Sequence, residues 1–168
     1  MKLVYSLEPG GPSVVFTDEA IGSMVRHRQK SIKDKEAGGQ LFAKFEGHDA
    51  IITEATEPKC LDKRSRYGFI PSKWLQRQEI ISKHRLGKHF VGDWHTHPVP
   101  VPSPSGDDKE SMIDCFCKSH HELKAFLMVI VGTAEPPDNL YVCLVDSNGI
   151  SRLRLKGQEV SDRKEGHF

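Results

Sequence analysis

The order of apolar and polar positions along the chain predicts strands interrupted by three helices. Short apolar or alternating runs predict strands at residues 1–8, 13–16, 40–45, 50–55, 88–94, 125–131, 140–145 and 150–155. Helices are predicted to begin at Thr17 or Asp18, at Pro71 and at Ser105, where capping or helix-starting residues precede apolar positions at helical spacing. The polar segment 57–71 is predicted to be a loop. Strands interleaved with helices favour the α/β class, with a mixed β-sheet and flanking helices in three layers.

Length and composition are typical of one domain. The chain has 168 residues, of which 37% are hydrophobic, and this suits one core of normal size. We expect a single domain over residues 1–156 and a polar C-terminal tail over residues 157–168. Trp74 in the second helix and Trp94 in a strand are both predicted to lie in the core.

Charge and cysteine content argue against several functional classes. The formal net charge is +1, which gives no indication of nucleic-acid binding. No apolar run approaches the roughly 20 residues that a membrane-spanning helix needs, and the first residues lack the apolar core of a signal peptide. The four cysteines are too unevenly placed for a zinc ribbon and are expected to be reduced. We therefore expect a cytoplasmic protein that binds neither nucleic acid nor membrane.

The segment His95-Thr96-His97-Pro98 is the first indication of a metal site. Residues two apart on a strand point to the same face, so His95 and His97 can bind one ion while Thr96 points away. A lone His-x-His pair is more often structural than metal-binding, and the interpretation therefore needs a third ligand.

The third ligand is predicted to come from the next helix. The proline-rich stretch 98–104 cannot continue a ladder or a helix and predicts a stiff extended loop. Ser105 is a good N-cap with Asp108 in the first turn, a pattern that by itself is an ordinary capping box. Together with both histidines, Asp108 completes three ligands. A fourth position then remains for a water whose pKa zinc lowers to about 7.

Three other classes of metal enzyme fit these residues poorly. A metallo-β-lactamase requires an aspartate two positions after the second histidine, where this chain has Val99. Zinc nucleobase deaminases require His-x-Glu and a Cys-x-x-Cys pair, but the nearest cysteines, Cys115 and Cys117, are one residue too close. A barrel amidohydrolase needs roughly 250 residues, and this chain of 168 residues is too short for that fold.

The order His95-x-His97-Pro98, six residues, Ser105-x-x-Asp108 resembles the JAMM motif of the JAB/MPN metalloproteases, a class that includes deubiquitinating isopeptidases. The family also carries an upstream glutamate followed by small residues, and the segment 36–39, Glu-Ala-Gly-Gly, fits that place. The resemblance covers about residues 16–145. It implies the JAB/MPN fold, which is cytidine-deaminase-like and of the three-layer α/β kind.

The resemblance also implies a role for each motif residue. His95, His97 and Asp108 would hold one catalytic Zn²⁺ with its bound water. Glu36 would take a proton from that water and deliver it to the leaving amine, as general base and then acid. Ser105 would donate a hydrogen bond to the oxyanion of the tetrahedral intermediate.

Within the family, the chain looks like the compact bacterial stand-alone branch. It is similar to small JAB proteases that are encoded with a ubiquitin-ligase-like enzyme and a cyclic-nucleotide synthase (CD-NTase) in CBASS anti-phage operons. This implies an isopeptidase that releases a CD-NTase or ubiquitin-like protein at the amide bond after its extended C-terminal tail. Trimming of a sulfur-carrier precursor, a non-catalytic MPN binding module and a small-molecule metallohydrolase remain alternatives, and homodimerisation is left open.

In relatives, the substrate tail lies as an added strand along an exposed sheet edge. The residues expected to form the walls of such a groove here are segment 57–69 and the proline-rich stretch 98–104. Arg64 and Arg66 could meet acidic patches of a substrate, and Gly38 and Gly39 would let a substrate backbone approach.

Overall fold

The structure is a computed structural model that describes residues 1–159. Its strands are β1 (Lys2–Ser6), β2 (Ser13–Phe16), β3 (Gly38–Glu46), β4 (Asp49–Ala55), β5 (Lys63–Ser65), β6 (Gly68–Ile70), β7 (His89–Thr96), β8 (Phe126–Val131), β9 (Leu140–Asp146), β10 (Gly149–Arg152) and β11 (Arg154–Glu159). Its helices are α1 (Asp18–Val25), α2 (Lys73–Arg85) and α3 (Gly106–Lys118).

Within the described residues, nine strands form one mixed sheet in the order β10-β9-β8-β7-β3-β4-β2-β1-β11. The pairs β2–β4 and β7–β8 are parallel, and the others are antiparallel. The parallel β7–β8 pair is joined by the crossover that contains α3. This crossover places the start of α3 near the end of β7.

The last predicted strand is in fact two strands. Leu153 separates β10 from β11, and its buried N–H donates to the carbonyl of Val142 on β9. Since one residue spans at most about 3.6 Å, the two ends of the strand order, β10 and β11, lie next to each other and the sheet is strongly curled. β11 runs to Glu159, beyond the predicted domain boundary at residue 156. The rest of the predicted tail, residues 160–168, lies outside the described residues.

Helices cover both faces of the sheet, and the predicted three-layer α/β arrangement is confirmed. Alternate residues of β8 serve the two cores. Leu127, Val129 and Val131 pack in the core shared with α1. The intervening residues of β8 pack in the core shared with α3, as do Met112 and Cys143. Trp94 is 1% exposed and belongs to the first core, as predicted.

The second helix differs from its prediction. α2 begins after its N-cap Ser72, but in the described structure none of its residues is buried. Trp74, predicted to lie in the core, is 65% exposed. The helix lies along β7 and does not close against α3, so that a groove remains between the two helices.

The segment 57–71 was predicted to be a loop, and this was wrong in part. It contains the small antiparallel hairpin of β5 and β6. Strand β5 has the sequence Lys-Arg-Ser, which carries no apolar alternation and therefore no strand signal. The hairpin is attached to the preceding loop by side-chain hydrogen bonds, for example from Arg66 Nη1 to the carbonyl of Ser31 at 3.0 Å.

Strand β7 contains a bulge that sets the orientation of its side chains. Leu41 pairs with Gly92 while Phe42 pairs with Phe90, so Val91 is an extra residue on β7. Gly92 has a φ of +153°, and a Cβ there would lie 1.8 Å from the carbonyl oxygen of Leu127. Glycine is therefore required where β8 approaches β7 most closely.

The four cysteines are free, as predicted. Among the helices of residues 1–159, none has the length and apolar character that crossing a bilayer requires.

Candidate metal centre

Three predicted ligands meet at the end of β7. His95 lies on β7, and His97 follows it with its N–H donating to the carbonyl of Val131 at 3.0 Å. Nε2 of His95 is 3.2 Å from Oδ1 of Asp108, and Nε2 of His97 is 3.2 Å from Oδ2. One ligand atom from each residue lies within 4.8 Å of the other two. The imidazoles and the carboxylate therefore converge on one point.

Asp108 is held by the start of α3. Its carboxylate Oδ2 accepts a hydrogen bond from the N–H of Ser105 at 2.8 Å, and its own N–H donates to Ser105 Oγ at 3.0 Å. The capping box and the ligand set thus share one carboxylate. Burial acts to raise the pKa of Asp108, but the adjacent His95 and His97 rings hold it well below its usual range. The carboxylate is ionised and ready to bind a cation.

The proline-rich stretch 98–104 connects the end of β7 to the start of α3 and thereby positions Asp108. The N–H groups of Thr133 and Ala134 donate to the carbonyls of Val99 and Pro100, at 2.8 and 3.2 Å. A Cβ on Gly132 would lie 2.4 Å from the carbonyl oxygen of Pro100, so the loop packs directly on the backbone after β8. The proline-rich stretch is therefore anchored at its start as well as at the Ser105 cap.

The donor set fits a zinc ion. Two imidazole nitrogens and one carboxylate oxygen are ligand types that catalytic zinc sites use, with a remaining position for water. Nε2 of His95 is buried and has no hydrogen-bond partner of good geometry among the described residues, although it faces the Asp108 carboxylate. A metal ion would satisfy that nitrogen.

Glu36 lines the same groove as the three ligands. Its N–H donates to the carbonyl of Ser65 at 2.7 Å, and its carbonyl accepts from Arg64 Nε at 2.8 Å. Glu36 is 8% exposed. Burial raises the pKa of its carboxyl, the His95 and His97 rings oppose this shift, and the Asp108 charge adds to it. The side chain therefore lies in the groove of the ligands, and its surroundings favour the protonated carboxyl more than water does.

Arg64 has a different contact from the one expected. Its guanidinium binds the main-chain carbonyls of Glu36 and Lys35. Sequence reasoning assigned Arg64 to an acidic substrate, and no local pattern indicates that it holds the loop that carries Glu36.

Gln29 and Thr96 are further residues that sequence reasoning missed. Thr96 Oγ1 accepts from the N–H of Ala37 at 2.9 Å and donates to Gln29 Oε1 at 2.8 Å. Gln29 Nε2 donates to the carbonyl of Arg66 at 2.8 Å. Gln29 is 2% exposed and Thr96 is fully buried. This buried chain of hydrogen bonds connects the ligand strand, the Glu36 loop and the hairpin.

The space beside the two predicted glycines is filled by the protein itself. A Cβ on Gly38 would lie 2.7 Å from the ring of Phe69 and from the carbonyl oxygen of Trp94. A Cβ on Gly39 would lie 2.0 Å from the carbonyl oxygen of Thr56. Both glycines are thus explained by close packing of the backbone.

The centre opens into a groove of about 1200 Å³ between α2 and α3. Its walls include residues from the metal ligands, from β6 and from both helices, namely His95, His97, Asp108, Ser105, Phe69, Ile70, Gln76, Met112 and Cys115. Asp93 lies in this lining, two residues before His95, and burial raises the pKa of its carboxyl to about 7.

Comparison with known families identifies the fold. A family model described as prokaryotic homologs of the JAB domain matches residues 17–144. The chain belongs to this prokaryotic JAB family. The JAB/MPN resemblance expected from the motif is thereby confirmed. The match covers the metal centre, Glu36 and both helices that form the groove.

Curated relatives extend over nearly the same JAB domain. A Pseudomonas aeruginosa protein named CD-NTase/cGAS isopeptidase is 33% identical over 144 residues, covering 80% of this chain and 84% of the relative. Proteins of the same name from Escherichia coli and Enterobacter hormaechei are each 27% identical, covering 85% and 92% of this chain and 88% and 86% of the relatives.

Solved structures of low sequence identity share the fold. A Desulfitobacterium hafniense protein in solution superposes with a TM-score of 0.65 at 21% identity, covering 91% of this chain and 98% of that chain. A Salinibacter ruber protein gives a TM-score of 0.51 at 17% identity, with 89% and 92% covered.

Proposed function

We propose that this JAB protein is a zinc-dependent isopeptidase, a metalloprotease that hydrolyses the amide bond after the C-terminal tail of a conjugated protein. The observation that carries the proposal is the convergence of His95, His97 and Asp108 beside Glu36 in an open groove. Three ligands with a free position and an adjacent carboxylate are the requirements of metal-assisted hydrolysis.

A zinc ion held by His95, His97 and Asp108 would act as a Lewis acid and lower the pKa of a water at its open position. Glu36 would serve as general base and take a proton from the water that attacks the scissile carbonyl carbon. Glu36 then delivers the proton to the departing amine nitrogen, whose bond to carbon breaks. The raised pKa of Glu36, caused chiefly by burial, suits a group that must both accept and release one proton.

Ser105 is available for the oxyanion. Its Oγ accepts from the N–H of Asp108, and the hydroxyl hydrogen remains free to donate. The residue is exposed and lines the groove. A hydrogen bond aimed at the charge that develops on the carbonyl oxygen lowers the barrier, and loss of one such donor typically costs about 10²–10³ in kcat.

The groove supports a protein substrate with an extended tail. Within the described residues, β6 pairs only with β5, which leaves its second backbone edge free beside the metal centre. An extended peptide can add to such an edge as a further strand. Tyr67 and Ile70, 79% and 64% exposed, flank this edge and offer apolar contact area.

The substrate is inferred from the relatives. All three relatives described above are named CD-NTase/cGAS isopeptidase. We therefore propose that the substrate is a CD-NTase joined through its C-terminal residue to another protein. The protein would then act in the cytoplasm as a deconjugase in anti-phage defence.

The test uses a CD-NTase from the same genome, fused through its C-terminal residue to green fluorescent protein. Zinc-loaded protein is expected to cleave the fusion after the last CD-NTase residue, as read by intact mass. A chelator should stop cleavage, and Glu36→Gln should abolish it while bound zinc, measured by metal analysis, stays at one ion.

Two results would contradict the proposal. Cleavage by Glu36→Gln at the wild-type rate would remove Glu36 from the mechanism. Tight binding of the fusion by zinc-loaded protein without turnover would indicate a binding module. Cleavage of a ubiquitin-like precursor in place of the CD-NTase fusion would support the isopeptidase chemistry and reject the substrate.

A further inference from the structure

We propose that the inner part of the groove is a subsite for a guanidinium or ammonium side chain of the substrate, with Asp93 as the residue that binds it. The inference rests on the proposed function, since it adds a specificity determinant to the same site. It follows from the position of Asp93, from its missing hydrogen-bond partner and from the shape of the groove around it.

Asp93 lies on the face of β7 that carries the histidine ligands. It stands two positions before His95, which corresponds to about 7 Å along a strand. Its neighbours across the sheet are Gln40 on β3 and Met128 on β8. Asp93 and Met128 both line the groove, as do Met112 on α3 and Gln76 on α2. A substrate residue close to the scissile bond can therefore place its side chain over Asp93.

Within residues 1–159, one oxygen of the Asp93 carboxylate is left without a hydrogen-bond donor. Its Oδ1 is buried and accepts no hydrogen bond within the described residues. Gln40 lies opposite Asp93 on β3, and its Oε1 atom is also buried and accepts no hydrogen bond within the described residues. Its Nε2 atom donates to the carbonyl of Gln76 at 3.3 Å. Each of the two residues therefore has one buried acceptor without a donor among the described residues, and of the two it is Asp93 that lines the groove. A buried acceptor without a donor costs roughly 1–3 kcal/mol, so a ligand that supplies donors is favoured.

The required donor is cationic. Lys73 and Lys118 also line the groove, but in the described part of the chain neither forms an ion pair with Asp93, and Lys118 is bound to Asp114 at 2.6 Å. A guanidinium presents several N–H donors in a fixed plane and is more weakly hydrated than an ammonium. It can donate to both oxygens of one carboxylate, and its charge compensates that of Asp93. The methionines supply apolar contact for the aliphatic part of the side chain.

The methionines of the groove also allow ligand binding to be measured without turnover, because their methyl groups respond to a ligand beside them. The chain has four methionines, of which Met112 and Met128 line the groove, whereas Met24 is buried in the opposite core and Met1 lies at the N-terminus. Protein labelled with ¹³C at the methionine methyls is loaded with zinc and titrated with n-butylguanidinium. Saturable shifts are expected at Met112 and Met128, with Met24 unchanged.

Charge specificity is tested with uncharged and mutant controls. Butyramide and n-butanol should bind at least tenfold more weakly than n-butylguanidinium, as read from the methionine shifts. Asp93→Asn should lower the affinity for n-butylguanidinium at least tenfold, whereas Glu46→Gln, at the exposed end of β3 and away from the groove, should leave that affinity unchanged. n-Butylamine is expected to bind with an affinity between those of the guanidinium and the amide.

Equal affinity for n-butylguanidinium and butyramide in the wild-type protein would overturn the subsite, and this comparison does not depend on whether Asp93→Asn folds. Absence of shifts at Met112 and Met128 would overturn it as well. The titration requires no turnover and is repeated with the chelator present. Failure of the subsite is therefore distinguishable from failure of the proposed isopeptidase activity.

Discussion

The hydroxyl of Thr96, the residue between the two histidine ligands, binds the backbone of Ala37, the residue next to Glu36. The Ala37 N–H donates to Thr96 Oγ1 at 2.9 Å, and the Thr96 N–H donates to the Ala37 carbonyl at 2.9 Å. The ligand strand and the loop that carries Glu36 are thus joined by two hydrogen bonds in a fully buried position. Movement of either element displaces Glu36 relative to the ligands.

Thr96→Val tests this connection. Valine preserves the shape of threonine but leaves the Ala37 N–H and Gln29 Oε1 without partners, which should lower the free energy of unfolding by roughly 1–3 kcal/mol. Misplacement of a catalytic group by about 1 Å can cost about 10²-fold, so kcat on the CD-NTase fusion should fall by tenfold or more with KM little changed. Bound zinc, measured by metal analysis, should stay at the wild-type level.

Thr53→Val is the matched control. The Thr53 hydroxyl is buried but has no hydrogen-bond partner among the described residues. The same chemical change there should leave kcat unchanged and should not lower stability. Equal effects of both substitutions would show that the Thr96 hydrogen bonds do not position Glu36.

Zinc should stabilise the fold through its three ligands. At a free zinc concentration of 100 times Kd, the expected gain is about 2.7 kcal/mol, since the ion binds the folded state. For a domain of this size such a gain raises Tm by several degrees. His97→Ala should abolish the zinc-dependent rise in a thermal melt, and His48→Ala, in the exposed turn between β3 and β4, should retain it. If zinc raised the Tm of His97→Ala as much as that of the wild-type protein, His97 would not be a zinc ligand.

The bulge in β7 should tolerate no side chain at Gly92. A Cβ would lie 1.8 Å from the Leu127 carbonyl oxygen, and the φ of +153° is unfavourable for alanine. Gly92→Ala should lower the free energy of unfolding by about 3 kcal/mol or more, as measured by urea denaturation. Gly47→Ala provides the comparison, because its φ is +62° but nothing lies within 4 Å. Its cost should stay at about 1 kcal/mol.

Glu54 should make stability depend on pH. Partial burial opposes ionisation of this group, but hydrogen bonds from Lys83 and Lys88, the latter at 2.7 Å, hold the pKa of Glu54 below its usual 4.5. A folded pKa below the unfolded value adds stability above about pH 4.5, and this addition is lost as pH falls through the folded pKa. Its size is roughly 1 kcal/mol or less.

Urea denaturation at pH 7 and pH 3.5 checks this expectation. The wild-type protein should have a higher free energy of unfolding than Glu54→Gln at pH 7, and this difference should be smaller at pH 3.5. Comparing two variants at each pH cancels any loss of zinc that they share. The exposed pair of Asp114 and Lys118 gives the control, since Asp114→Asn should change stability little at either pH. A difference that grows on acidification would contradict the assigned pKa direction.

Much of the fold could be predicted from local patterns. The core strand β8 and the caps Thr17 and Ser105 were predicted because burial on both faces requires a continuous apolar run and a helix start requires a side-chain acceptor. The hairpin of β5 and β6 could not be predicted, since its strands are polar and depend on hydrogen bonds to residues 31–36. The exposure of Trp74 could not be predicted either, since the contact of α2 with β7 forms only in the folded sheet.

The sequence by itself determined the family and the members of the candidate ligand set, because His95, His97 and Asp108 stand at spacings that only a few local geometries satisfy. Tertiary structure decided how Glu36 is held, through Arg64, Ser65 and Thr96, and how Asp93 comes to face a groove without a partner. The physical reason is the distance along the chain over which each kind of interaction acts. Strand alternation and helix capping act over a few residues, whereas these contacts join segments that are separated in the chain and meet only when the sheet and both helices have packed.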